Sequence, residues 1–166
     1  MRVSALFVLA AIIAEPARRC SIEELRHSPN YQWRVERVGE KVDSATQIVR
    51  ARAISADSAA ETITFEPLEW FRGASLTSRI VLPGVAVDRD DFNPLTVPYQ
   101  MVRPSGTRGD CHAGEYRLGR EYLLLLQDGP SRYPIYWWPL GPVNEQLRGP
   151  NDPWLKWVAA RVTSRR

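Results

Sequence analysis

The sequence predicts a mainly β fold of five or six strands, mostly antiparallel, in a small closed or partly open Greek-key barrel with a helix at each end. Three observations predict it. "TQIVRARAIS" alternates strictly, with Val49, Ala51 and Ala53 to one side and Arg50 and Arg52 to the other. Tyr122 to Leu126 is apolar on both faces, the pattern of a strand central to its sheet. In "ETITFEPLEWFRG" the apolar phase is odd at Ile63 and Phe65 but even at Leu68 and Trp70. A bulge or sharp bend at Pro67, which has no N–H for a ladder bond, accounts for the flip. Closing a small barrel needs such a bent strand.

The remaining elements follow in chain order. In "WRVERVGEKVDSA", Val35, Val38 and Val42 stand at i, i+3 and i+7, one apolar stripe on a helix that Gly39 weakens. Small and polar residues from Asp57 to Ala60 turn the first strand into the second, and "SRIVLPG" is a further short strand. Val85 to Arg108 reads as a long irregular loop rich in Pro, Asp and Arg, of the kind that carries function or moves. Tyr116 and Leu118 lead to a turn at Gly119, and "YPIYWWPLG" reads as the last strand. "NDPWLKWVAARV" opens a helix with Asp152 as N-cap and Pro153 in the first turn. Trp154, Trp157, Val158 and Arg161 then share one face of it.

The N-terminus reads as an export signal. Arg2 precedes the apolar run Val3 to Ala14, whose 12 residues are too few for a membrane span, which needs about 20. Residues 1–14 are the expected signal peptide, with Arg19 as its outer limit, and 20–166 the expected single domain, secreted or periplasmic. Removing the leader costs only Arg2 among the charges and leaves 21 basic minus 19 acidic residues, or +2. That weak and scattered positive charge is no footprint for nucleic acid.

In an oxidising compartment an even pair of cysteines, Cys20 and Cys111, reads most simply as one disulfide. Closing a loop of about 90 residues would stabilise the fold by up to about 4–5 kcal/mol in the chain-entropy picture. Two alternatives are weaker. Cys111 and His112 are adjacent, so as nucleophile and base their side chains would point apart. A metal site would draw on Cys20, His27, Cys111 and His112, whose spacings match no common ligand pattern. "VDRDDFN" gathers Asp88, Asp90, Asp91 and Asn93 but lacks the glycine and closing glutamate of a calcium loop.

Together "DSATQIVRARA", Phe65 to Gly73 and "CHAGEYRLGREYLLL" resemble, in order, the motifs of the netrin-like module. That family of OB-type barrels includes the tissue inhibitors of metalloproteinases and related bacterial proteins. The resemblance covers Cys20 to about Leu126 and implies an OB-type barrel, a Cys20–Cys111 bond, and action by binding a protein partner. Family inhibitors chelate a peptidase zinc through the amino group and carbonyl of an N-terminal cysteine. Here Cys20 would have to become the first residue, and Ile22 stands where those inhibitors carry a second cysteine.

The expected function is therefore an exported protein-binding module, with a metallopeptidase as the partner class the resemblance names. It is not expected to be an enzyme or to need a cofactor or metal. G-x-S-x-G, phosphate-loop and dinucleotide fingerprints are missing, and before the bend at Pro67 is considered Glu66 and Glu69 fall on opposite faces of their strand. The alternative is an oligonucleotide or carbohydrate binder using the aromatic strand, where Tyr136 and Trp138 face one side and Trp137 the other. Cys20, Tyr136, Trp137 and Trp138 are thus the expected binding residues.

Overall fold

The computed structural model describes residues 38–73, 78–99, 102–107, 114–127, 133–135 and 143–164. The expected signal peptide, Cys20, His27, Cys111, His112, Tyr136, Trp137 and Trp138 lie outside them. Helix α1 (Val38–Ser44) leads into β1 (Gln47–Asp57) and β2 (Thr62–Arg72). Then come β3 (Ile80–Pro83), β4 (Val85–Val87) and a 3-10 turn at Pro104–Thr107. The chain continues with β5 (Glu115–Arg117), β6 (Glu121–Gln127), β7 (Tyr133–Pro134), β8 (Glu145–Gln146) and α2 (Pro153–Thr163).

The fold is mainly β with two helices, as expected. Six strands form an antiparallel sheet in the order β3-β2-β1-β6-β7, with β8 also on β6, while β4 and β5 form a separate parallel pair. The six-stranded sheet is not closed into a barrel. Gly84 alone separates β3 from β4, and a three-residue turn separates β5 from β6, so the parallel pair spans the two sides by chain path. Glycine is required there for space: a Cβ on Gly84 or Gly114 would fall 2.6 or 2.5 Å from the Tyr116 ring.

The bend at Pro67 is a β-bulge. Ala51 pairs with Pro67 and Arg50 with Glu69, which leaves Leu68 as the extra residue. Leu68 is accordingly 38% exposed rather than part of the core. A second shift sets Val49 against Trp70 and Ile48 against Arg72. Trp70 packs against one apolar cluster and Phe71 against the other.

Two apolar clusters result, one on each face of the sheet. The first joins α1 and α2 to the sheet through Val38, Val42, Ile48, Leu123, Leu125, Trp154 and Val158. The second is formed by Val49, Ala51, Ile63, Phe65, Leu82, Tyr116, Tyr122, Leu124 and Leu126. Strand β6 contributes to both by alternation, which is why it reads as apolar on both faces.

Helix α2 begins as its sequence predicts. Asp152 accepts from the Trp154 N–H at 2.9 Å, and its other oxygen accepts from the Arg148 N–H at 2.9 Å. Its buried face is Trp154, Leu155, Val158 and Val162, with Trp157 half-buried and Arg161 bonded instead to Asp43 of α1 at 2.7 and 2.9 Å. That guanidinium lies over Gly39 of α1, 2.8 Å from where a Cβ would stand. Asp152→Ala is expected to lower stability by about 1–2 kcal/mol in urea unfolding, since it strips the helix cap and orphans the Arg148 N–H. A loss well under about 0.5 kcal/mol would mean that water replaces both bonds.

Candidate functional site

The strongest concentration of polar chemistry among the described residues lies where the segment from Asp88 to Thr107 crosses β8. The sequence reads as an irregular loop from Val85 to Arg108; the structure instead makes Val85–Val87 strand β4, paired in parallel with β5, and forms a 3-10 turn at Pro104–Thr107. The junction is buried and charged. Asp91, Asn93, Arg103, Asn144, Glu145 and Gln146 are all at most 4% exposed. Most buried polar groups are bonded, because leaving one unpaired is costly, so each contact here bears on the fold.

Arg103 is the hub. Its Nη1 donates to Asp91 at 2.6 Å and to the Glu115 carbonyl at 2.6 Å, and its Nε donates to the Asn144 carbonyl at 2.7 Å. The guanidinium also lies over the rings of Tyr116 and Tyr122, at 4.8 and 5.3 Å from their centroids. Asp91 accepts in addition from the Ser105 N–H at 3.1 Å. Burial raises both phenols, that of Tyr122 to about 12, so they stay neutral beside the cation.

Three consecutive polar residues of β8 and its approach complete the junction. Asn144 donates to the Tyr116 hydroxyl at 3.1 Å and accepts from the Leu125 N–H at 3.2 Å. Glu145 accepts from the Arg103 N–H at 3.0 Å and from the Asn93 amide at 3.1 Å. Gln146 accepts from the Asp91 N–H at 2.8 Å and donates to Asp90 at 2.6 Å. Desolvation pushes Glu145 up to about 7, against the pull of Arg103 and its two donors.

The acidic loop "VDRDDFN" is thereby accounted for. Asp90 pairs with Arg117 at 2.9 Å and Arg120 at 3.0 Å, which with Gln146 outweigh its desolvation and hold its carboxyl below the usual range. Asp91 and Asn93 face Arg103 and Glu145. Among the described residues, no group of three or more His, Cys, Asp or Glu is placed to hold a metal ion. Contrary to expectation, the bulge puts Glu66 and Glu69 on the same face, in register with Arg52 and Arg50; both are exposed, and Glu69 lies 3.4 Å from Arg50.

Two further surface features flank the junction. An open groove of about 670 Å³ is lined by Ala86, Val87, Asp88, Arg89, Arg117 and Leu118. Its arginines are neutralised by Glu115 and Asp90. Across the sheet, Glu121 accepts from Arg50 at 2.8 Å and Arg52 at 3.2 Å, and these contacts lower its carboxyl despite desolvation.

Arg103, Asn144, Glu145 and Gln146 are not marked by any sequence motif. The available signal is a polar triplet, Asn144 to Gln146, flanked by the apolar Val143 and Leu147. The expected binding residues Cys20, Tyr136, Trp137 and Trp138, and the expected Cys20–Cys111 bond, lie outside the described residues. Among the described residues, no helix is long and apolar enough to cross a membrane.

The fold and junction together define a mainly β domain whose long connection is clamped by a buried polar network. Comparison with family models, curated proteins and solved structures finds no match for this chain.

Proposed function

We propose that this chain is an exported, netrin-like binding module that acts on a protein partner and performs no chemistry of its own. The observation that carries the reading is the pairing order. Antiparallel β1–β2–β3 on one side and β1–β6 on the other are joined along the chain by the parallel β4–β5 pair. That order suits a partly open Greek-key barrel of the OB type. The packing of α1 and α2 on the same face of β1 and β6 also fits the resemblance. Folds of this kind host many functions, so the partner is argued from the resemblance and not from the fold. A metallopeptidase is the class of partner the resemblance names.

The test is the exported protein itself, by intact mass, N-terminal sequencing and thiol labelling before and after reduction. Cys20 and Cys111 are expected to resist labelling until reduced. The mature protein is then titrated against a zinc metallopeptidase. A chain beginning at Cys20 should inhibit it, because its amino group and carbonyl can reach the metal, whereas a chain beginning at Glu15 should not. Two freely labelled thiols would overturn the netrin-like reading.

A further inference from the structure

The parallel pair leaves one strand edge open. Val85 donates its N–H to the Gly114 carbonyl, and the register sets Val85, Ala86 and Val87 beside Glu115, Tyr116 and Arg117. Main-chain groups alternate in direction along a strand, so Ala86 turns its N–H and C=O away from β5. Ala86 is exposed, and among the described residues neither group is bonded. The far edge of β5 is closed by side chains instead. Arg103 donates to the Glu115 carbonyl, and the Tyr122 hydroxyl accepts from the Arg117 N–H. The end strands of the larger sheet, β3 and β7, each carry a proline, whereas β4 reads Val-Ala-Val with neither proline nor charge. Such an edge is a template for another strand.

The open groove of about 670 Å³ lies along this edge. Its apolar wall is Ala86, Val87 and Leu118, the last 42% exposed. Of its charged residues, Arg89 pairs with Glu115 and Arg117 with Asp90. Asp90 also holds Arg120, which is not part of the lining. Asp88 is exposed and forms no ion pair among the described residues, so the unmatched charge of the lining is negative.

We propose that the β4 edge and its groove take up an extended segment of a partner protein. The segment pairs main chain to main chain at Ala86, lays an aliphatic side chain against Val87 and Leu118, and brings a basic side chain to Asp88. Three residues of strand offer few main-chain bonds, so the groove must supply much of the affinity. A second copy of this chain fits less well. Antiparallel pairing of β4 with itself about Ala86 would set Gly84 opposite Asp88 and leave the carboxylate unmatched. This role rests on reading the chain as a protein-binding module, but it needs neither the Cys20–Cys111 bond nor inhibition of a peptidase. Thiol labelling can therefore fail while the edge still binds, and the reverse.

The experiment is an NMR titration of the isotope-labelled full chain with an acetylated and amidated peptide of about seven residues, alternating valine and threonine around a central arginine. The Ala86, Asp88 and Leu118 amides are expected to shift together, with Kd in about the high-micromolar range, while α2 amides stay in place. Exchange of the glutamate analogue for the arginine peptide, or Asp88→Asn in the protein, should weaken binding about fivefold. A peptide N-methylated at alternate residues, which lacks the donors of one edge, should not bind. Ala86→Pro removes the outward N–H without touching a β4–β5 bond and should also abolish binding. No shift at Ala86 by about 2 mM peptide would overturn the proposal. So would an N-methylated or glutamate peptide that binds as well as the parent. Ala86 shifts that grow with protein concentration and no peptide would make a second copy the occupant, and would overturn it too. If Ala86→Pro fails to fold, the N-methylated peptide and Asp88→Asn decide the matter.

Discussion

Replacing Arg103 by methionine is expected to destabilise the protein by about 3–5 kcal/mol at neutral pH, one of the two largest effects of any single substitution considered. The side chain is 2% exposed and joins Asp91, the Glu115 carbonyl and the Asn144 carbonyl. Methionine fills much of the same volume, so the loss is not chiefly a cavity. It arises because Asp91 stays buried with its cation gone, and two carbonyl oxygens lose their donors. The rings of Tyr116 and Tyr122 also lose the cation over their faces. Urea unfolding measures the effect, and a double variant with Asp91→Leu supplies the control. If the penalty is an unpaired charge, the double variant should lose clearly less than the sum of the two singles. A single-variant loss under about 1 kcal/mol would mean that water enters the junction and replaces the guanidinium.

Trp154→Ala is expected to cost about 3–5 kcal/mol as well, but for a different reason. Trp154 is fully buried and stacked between Tyr99 and Trp157, with ring centroids 5.0 and 5.2 Å away. It ties α2 to the loop as well as to the sheet. Alanine leaves a cavity that a helix fixed by its cap and by the Arg161–Asp43 pair cannot collapse into. Among the described residues the buried indole N–H has no partner. Trp154→Phe should therefore retain most of the stability, within about 1–2 kcal/mol, because it keeps the stacking and removes an unsatisfied donor. Thermal unfolding of the two variants separates packing from bonding. Equal losses in both would show that the indole has a role beyond its ring contacts.

Legibility in the sequence followed the range of the forces involved. Strand β1, the bend at Pro67 and the start of α2 depend on neighbours a few residues away, and each stands where alternation, a missing N–H or a cap residue puts it. Gly39 reads as a helix defect, and its neighbour in space, the guanidinium of Arg161, is far along the chain. The same limit hides the candidate site. Arg103 sits 12 residues from Asp91 and 41 or 42 from Asn144 and Glu145, and no periodicity links such positions. The parallel β4–β5 pair and the two-residue β8 are too short to announce themselves by alternation. "VDRDDFN" is visible as an acidic stretch, but its role as internal counter-charge emerges only with the arginines folded against it.

Strand β6 carries a consequence for how the chain finds a single alignment. A slip of one residue would exchange Tyr122, Leu124 and Leu126 for Leu123 and Leu125, and both sets are apolar. Oil-and-water sorting, which normally forbids such a slip, is therefore nearly blind here. Alignment falls instead to the polar groups around the strand. Glu121 must meet Arg50 and Arg52, the Leu125 N–H must meet Asn144, and the Tyr122 hydroxyl must meet the Arg117 N–H. Half-exposed ion pairs contribute little to stability by themselves. In this strand their worth is discriminatory: they reject misaligned sheets that greasy contact alone would accept.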